Sequence, residues 1–324
     1  EPRYIGLAAW AFAKASAGSD GLFQDLGDAA LHKLKHLSPR DVSHLTWAFA
    51  TVRTGHEVLA PMGSRLASLG RRLEGCSEQD ISGVAWGYAA LKVHHPEFLH
   101  CASSAAQART QEFTVQGLVN LMWAFATLRE SPTAFAEVAL QRIERGGRWE
   151  KLEPRGCAML LWSLATLQHD GAEIEHFYLS LAEGFIIPQA GLFQAQDVSN
   201  SLWAYATARI QHPEGFAALA GRAAQVIETF NPQAMAQVAW SCAKMRVLAP
   251  GFFEVASAEA LRRPLGTWPA QSLVTLCWAG AEAGGRPWEL LGPIFKELQS
   301  RGQAFNDKDL ATLATLLGGP GASR

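Results

Sequence analysis

Apolar residues recur along this chain at helical spacing, three and four positions apart. In the stretch 38–53 they fall at Val42, Leu45, Phe49 and Val52, which gather on one side of a helix at about 100° per residue, while Arg40 and His44 lie elsewhere. The pattern returns at 194–209, and no stretch sustains the period-two alternation of a strand. The spacing predicts an all-α protein.

A second period is longer. Eight of the 11 tryptophans, Trp10, Trp47, Trp86, Trp123, Trp162, Trp203, Trp240 and Trp278, are separated by 37 to 41 residues. Length alone would suggest two domains, but a fixed period of this size marks a solenoid of small repeated units. The expected architecture is an α-solenoid over residues 1–324, of about eight and a half helical hairpins. The repeats run over approximately 1–37, 38–76, 77–113, 114–152, 153–193, 194–230, 231–268 and 269–305, with a partial ninth over 306–324.

Each repeat opens with a helix start signal. Nine positions before the tryptophan stand Ser38, Ser77, Thr114 and Asn231, with Asn306 at the matching place in the partial repeat. These side chains accept from orphan N–H groups at a helix N-terminus. Pro2, Pro39, Pro154 and Pro232 follow at the first helical position, and Asp41, Asp80, Asp197 and Asp309 stand at the third, where a carboxylate completes a capping box. Apolar residues such as Leu37, Phe193 and Phe305 precede the cap as hydrophobic staples. A second helix begins near a proline in His95-Pro96, Ser131-Pro132, His212-Pro213, Ala249-Pro250 and Arg286-Pro287.

The faces of the first helix have different expected uses. Three positions after the tryptophan all eight repeats carry alanine, from Ala13 to Ala281, which lets neighbouring helices approach closely. The tryptophan borders this small-residue face and reads as a wedge between repeats in preference to a ring that stacks a base. Seven positions before it stand Arg3, Arg40, Gln79, Gln116, Arg155, Gln196, Gln233, Gln271 and Lys308, with no acid among them. Four residues further on, one turn along the same face, comes a variable and mostly polar position that includes His44, Asn120, Asn200, Gln237, Thr275 and Thr312. A constant donor beside a variable polar neighbour, repeated at each unit, is the pattern of a linear recognition surface. Arg, Gln and Asn present forked donors and acceptors suited to bases and phosphates, at about one nucleotide per repeat of single-stranded RNA. A second basic row, Arg53, Lys92, Arg129, Arg209 and Arg246, ends the first helices and reads as cations at the negative end of the helix dipole.

The Trp-Ala-Phe-Ala-Thr-Leu-Arg core at 123–129, the Asp-Val-Ser approach at 41–43 and the repeat length resemble the octotricopeptide and heptatricopeptide repeats. These arrays also occur in FAST-kinase-like proteins ahead of a RAP domain. The resemblance covers nearly the whole chain and implies an organellar, mitochondrial or plastid, RNA-binding α-solenoid. Its implied roles are transcript maturation, stability or translation, or membership of a ribosome or other ribonucleoprotein. No RAP-like segment is read after Leu317.

Composition bears on the alternatives. With 48% hydrophobic residues and 18% charged, the chain can bury a core. The apolar stretch around Leu118–Leu128 is interrupted and too short for a membrane span. A net charge of -2 argues against a generic nucleic-acid binder, so RNA contacts would rest on the donor rows, and a protein-protein scaffold using the concave solenoid surface is the alternative. The five cysteines form no Cys-x-x-Cys pair; His32 with His36, and His94, His95, His100 and Cys101, read as structural. Gly284-Gly285 and Gly318-Gly319 lack the Lys of a phosphate loop. No enzyme, metal or cofactor is expected.

Overall fold

The computed structural model describes residues 1–145, 149, 151–247, 250–282 and 288–301. The expected partial repeat, with Asn306, Lys308, Asp309 and Thr312, and the sequence Arg286-Pro287 lie outside them. The chain divides into two compact units, Glu1–Leu152 and Glu153–Arg324. Among the described residues there is no strand, and the fold is an all-α solenoid of helical hairpins.

The first unit holds α1 (Pro2–Lys14), α2 (Asp20–His32), α3 (Pro39–Val52), α4 (Leu59–Ala67), α5 (Glu78–Leu91), α6 (Pro96–Ala108), α7 (Val115–Leu128) and α8 (Thr133–Arg145). The odd-numbered helices pack on one another in chain order, and α4, α6 and α8 form a second layer. The second unit holds α9 (Pro154–Thr166), α10 (Ala172–Leu181), α11 (Ile187–Gln189), α12 (Ala195–Ala208), α13 (Pro213–Gln225), α14 (Pro232–Met245), α15 (Pro250–Arg262), α16 (Ala270–Glu282) and α17 (Trp288–Ser300). Here α9, α12, α14 and α16 stack in order, as do α13, α15 and α17. The longest tryptophan spacing, 41 residues between Trp162 and Trp203, is taken up by a π-helical segment, Ala182–Ile186, between α10 and α11.

Helix starts follow the capping chemistry. Ser38 and Ser77 Oγ accept from the Asp41 and Asp80 N–H groups, and each carboxylate accepts in return from the cap's N–H, at 2.9 and 3.0 Å. Thr114 and Asn231 accept from Gly117 and Ala234 N–H. At α12 the Gln194 N–H donates to Asp197 Oδ2 at 3.0 Å. The staple residues Leu37, Phe113, Leu152, Phe193, Phe230 and Trp268 are all buried.

Helix ends are less usual. The residue six positions after the tryptophan adopts a left-handed conformation in seven repeats: Ser16, Arg53, Lys92, Arg129, Gln168, Arg209 and Arg246, with φ between 50° and 60°. The N–H of the following residue then donates to the carbonyl two positions after the tryptophan, as Val93 does to Tyr88 at 2.8 Å and Glu130 to Phe125 at 2.9 Å. This closure satisfies carbonyls that the helix leaves open. A side chain other than glycine costs about 1 kcal/mol there, and a cation at the helix C-terminus offsets part of it.

Second-layer arginines tie the hairpins. Arg65, Arg109, Arg222, Arg263 and Arg301 donate to the carbonyls of Leu37, Cys76, Phe193, Phe230 and Trp268, each the residue just before a first-helix cap, at 2.6–3.2 Å. Histidines His95 and His212 cap α6 and α13, accepting from Phe98 and Gly215 N–H. The His95 ring lies where a Cβ on Gly63 would stand, and His56 does the same at Gly27.

First helices approach closely and in parallel register. The alanines Ala13, Ala50, Ala89, Ala126, Ala165, Ala206 and Ala243 are buried, while Ala281 is exposed. A Cβ on Gly87 would sit 2.5 Å from Thr46 Cγ2 and 3.1 Å from its carbonyl oxygen. Gly87→Ala is therefore expected to cost about 1–3 kcal/mol of stability by overpacking, measured by chemical denaturation. Adding Thr46→Ala should restore most of the loss; a Gly87→Ala protein as stable as the parent would contradict this packing.

Candidate nucleic-acid interface

The donor position lies at the second residue of each first helix. Arg3, Arg40, Gln79 and Gln116 in the first unit, and Arg155, Gln196, Gln233 and Gln271 in the second, are all exposed. Lys308 falls outside the described residues. Four residues on, His44, Asn120, Asn200, Gln237 and Thr275 are half-buried, as are Gly83 and Met159, whereas Leu7 is exposed. Helical geometry thus brings the two rows together on one face of each first helix.

The rows are coupled. Gln116 Nε2 donates to Asn120 Oδ1 at 2.8 Å, and Gln196 Nε2 donates to Asn200 Oδ1 at 2.9 Å. Each pair leaves the Asn Nδ2 donor and the Gln Oε1 acceptor without a partner among the described residues. Gln237 Nε2 reaches across to the Ser199 carbonyl of the preceding repeat at 3.0 Å. Arg3 is engaged locally, 2.7 Å from the Tyr4 hydroxyl and 3.4 Å from Glu1.

The tryptophans prove to belong to this same face. All eight are half-buried rather than buried. Trp10 meets Trp47 at 6.3 Å between ring centroids, and Trp86 meets Trp123 at 6.4 Å, so rings of successive repeats contact one another and keep part of their surface open. Lys14 Nζ sits 4.6 Å from the Trp10 ring centre, a cation–π contact. A wedge between repeats accounts for only part of the ring. The missed signal was angular: seven residues turn a helix through about 700°, which leaves the tryptophan about 20° from the donor row.

In the second unit these elements enclose a groove of about 650 Å³. Trp203, Trp240 and Trp278 line it together with Gln233, Gln237, Gln271 and Thr275. Four residues expected to recognise a ligand therefore share one cavity with three aromatic rings. Such a site can stack planar rings and hydrogen-bond their edges at once.

The capping acids are engaged locally. The Asp41, Asp80 and Asp197 carboxylates are committed to their own helix caps. Burial pushes the Asp197 carboxyl up, against the Gln194 hydrogen bond and the Arg155 charge that hold it down. Burial pushes the Cys76 thiol up to about 11 and the Cys242 and Cys277 thiols up to about 12. No helix among the described residues is long and apolar enough to cross a membrane.

Comparison with known proteins adds two findings. A family model described as RNA-editing substrate-binding complex 6 protein matches residues 4–263. A protein of Oryza sativa subsp. japonica described as "RAP domain-containing protein, chloroplastic" is 32% identical over 97 residues, 28% of this chain. The matched stretch spans 14% of that relative's own length.

His44 makes the face sensitive to pH. Its ring packs 5.9 Å from Trp10, and burial, followed by the Arg40 charge, lowers its pKa below 6.5 against the opposing charges of Asp41 and Asp80. The unfolded chain therefore binds this proton more tightly, so the contribution of His44 to stability is full above pH 6.5 and is lost as the pH drops below it toward the folded-state value. His44→Asn, which places here the residue found at 120 and 200, should lose less stability than the parent between pH 7 and pH 5 in urea melts. Equal losses would remove His44 from this role.

Proposed function

The chain belongs to the RNA-editing substrate-binding complex 6 protein family, and we propose that it binds single-stranded RNA along the first-helix face, at about one nucleotide per repeat. The observation that carries the reading is the groove of the second unit, where Trp203, Trp240 and Trp278 stand beside Gln233, Gln237, Gln271 and Thr275. Bases stack on the open tryptophan surfaces, a sequence-tolerant attraction of about 1–3 kcal/mol per base. The amides at the variable position hydrogen-bond base edges and supply selectivity, while the neighbouring Arg or Gln contacts phosphate or fixes the reading amide, as Gln116 fixes Asn120.

The proposed setting is an organelle, mitochondrion or plastid, and the work is binding rather than catalysis. Support comes from the family description, which names a complex that binds RNA-editing substrates, and from the chloroplastic rice relative. On this reading the protein holds a transcript for maturation, stability or translation, within a ribosome or other ribonucleoprotein. The repeats are proposed to be of the octotricopeptide or heptatricopeptide type.

Selection from random single-stranded RNA pools at two salt concentrations tests the reading. An enriched motif bound more tightly at low salt is expected; no binding at low salt would leave the face to a protein ligand. Within the groove, Trp240→Ala should weaken binding about 5- to 150-fold, the equivalent of one lost stack. Gln237→Ala should change the preferred base at one position while the rest of the motif stands. An unchanged motif with both variants folded would remove these residues from recognition.

A further inference from the structure

Five cations share one register position, six residues after the tryptophan. They are Arg53, Lys92 and Arg129 in the first unit, and Arg209 and Arg246 in the second, and all are exposed. Each closes a first helix in the left-handed conformation, with φ from 55° to 60°. The geometry itself does not ask for a cation, because Ser16 and Gln168 close α1 and α9 in the same way and glycine is the commonest residue at such closures. The helix dipole favours a cation anywhere in the last turn. Yet the last turns of α3, α5, α7 and α12 hold no basic residue, and the charge stands at the left-handed residue instead.

The charges are also left uncommitted. Second-layer arginines such as Arg65, Arg222 and Arg263 spend their N–H groups on carbonyls. Among the described residues no hydrogen bond or ion pair engages the side chain of any of the five. Glu130, which follows Arg129, is held by His94 Nε2 at 2.7 Å, and Asp20 accepts from the Thr54 hydroxyl next to Arg53 at 3.3 Å. Each unit therefore carries a row of unneutralised cations, on three successive repeats of the first unit and two of the second, at the helix-packing interval of about 8–10 Å. The row stands about 9 Å further along the helix axis than the tryptophans.

We propose that in each unit these residues form a phosphate rail, contacting the backbone of single-stranded RNA whose bases lie on that unit's tryptophan face. This rests on the RNA-binding reading above and assigns the second half of the same ligand. Selectivity stays with the amide positions, and the rail supplies attraction that is indifferent to sequence and sensitive to salt.

The test replaces the cations with glycine, which adopts the left-handed closure without strain. The triple variant Arg53→Gly, Lys92→Gly, Arg129→Gly and the double variant Arg209→Gly, Arg246→Gly are titrated with fluorescent single-stranded RNA across a salt series. Thermal unfolding is followed in parallel. The expected result is an unchanged or raised Tm, weaker binding to every sequence alike, an unchanged preferred motif, and a shallower dependence of log K on log salt. The slope should fall by about 2 for the triple variant and about 1.4 for the double. If a glycine variant loses its fold, the corresponding Asn variant, which also tolerates this conformation, carries the measurement. Parent-like affinity and slope in a folded variant would overturn the rail and leave the tryptophan face standing. Absence of RNA binding by the parent would overturn both. Weakened binding to polyglutamate with RNA binding unchanged would assign the row to an acidic protein and also overturn it.

Discussion

The close approach of successive first helices is the constraint on which the rest depends. Buried alanines from Ala13 to Ala243, together with Gly6, Gly83 and Gly87, let one helix backbone reach the next. A Cβ on Gly6 would stand 2.9 Å from the Asp41 carbonyl oxygen, so contact is already made at the backbone level. Parallel packing at this range puts equivalent positions of neighbouring repeats side by side. That is why Trp10 meets Trp47 and Trp86 meets Trp123 at nearly the same separation. The spacing of the amides and of the helix-closing cations follows from the same contact, since all are carried on these helices.

A division of labour between side chains of one type also emerges. Arginine serves as a structural clamp in the second layer, where its N–H groups meet carbonyls that precede a helix cap. On the first helices it is exposed, either at the second residue or at the left-handed closure. Aspartate at the third helical position is consumed by capping. A net charge of -2 thus coexists with a face whose leading row contains no acid. The global balance describes the whole surface, and recognition depends on which charges remain unpaired and where.

Much of the fold was legible in the sequence because capping chemistry is local. Ser38, Ser77, Thr114 and Asn231 start helices where the reading put them, since a side-chain acceptor next to orphan donors needs no distant partner. The donor and variable rows were legible for the same reason, helical angle alone placing them on one face. Three features were not. The left-handed closures were hidden because Arg and Lys occupy them in place of glycine, and a cation at a helix end has a sufficient explanation in the dipole. The arginine clamps join residues about 30 positions apart and leave no periodic mark strong enough to read. The tryptophans were taken as wedges because their bulk beside alanine suggested packing, although their angle already placed them with Gln233 and Gln237.

The central claim is that RNA lies on the first-helix face. Photo-crosslinking of thiouridine-substituted single-stranded RNA, followed by mass spectrometry of the adducts, locates the ligand directly. The account predicts adducts on α12, α14 and α16 at or beside Trp203, Trp240 and Trp278. Adducts confined to α13 and α15, with these tryptophans unmodified, would contradict it.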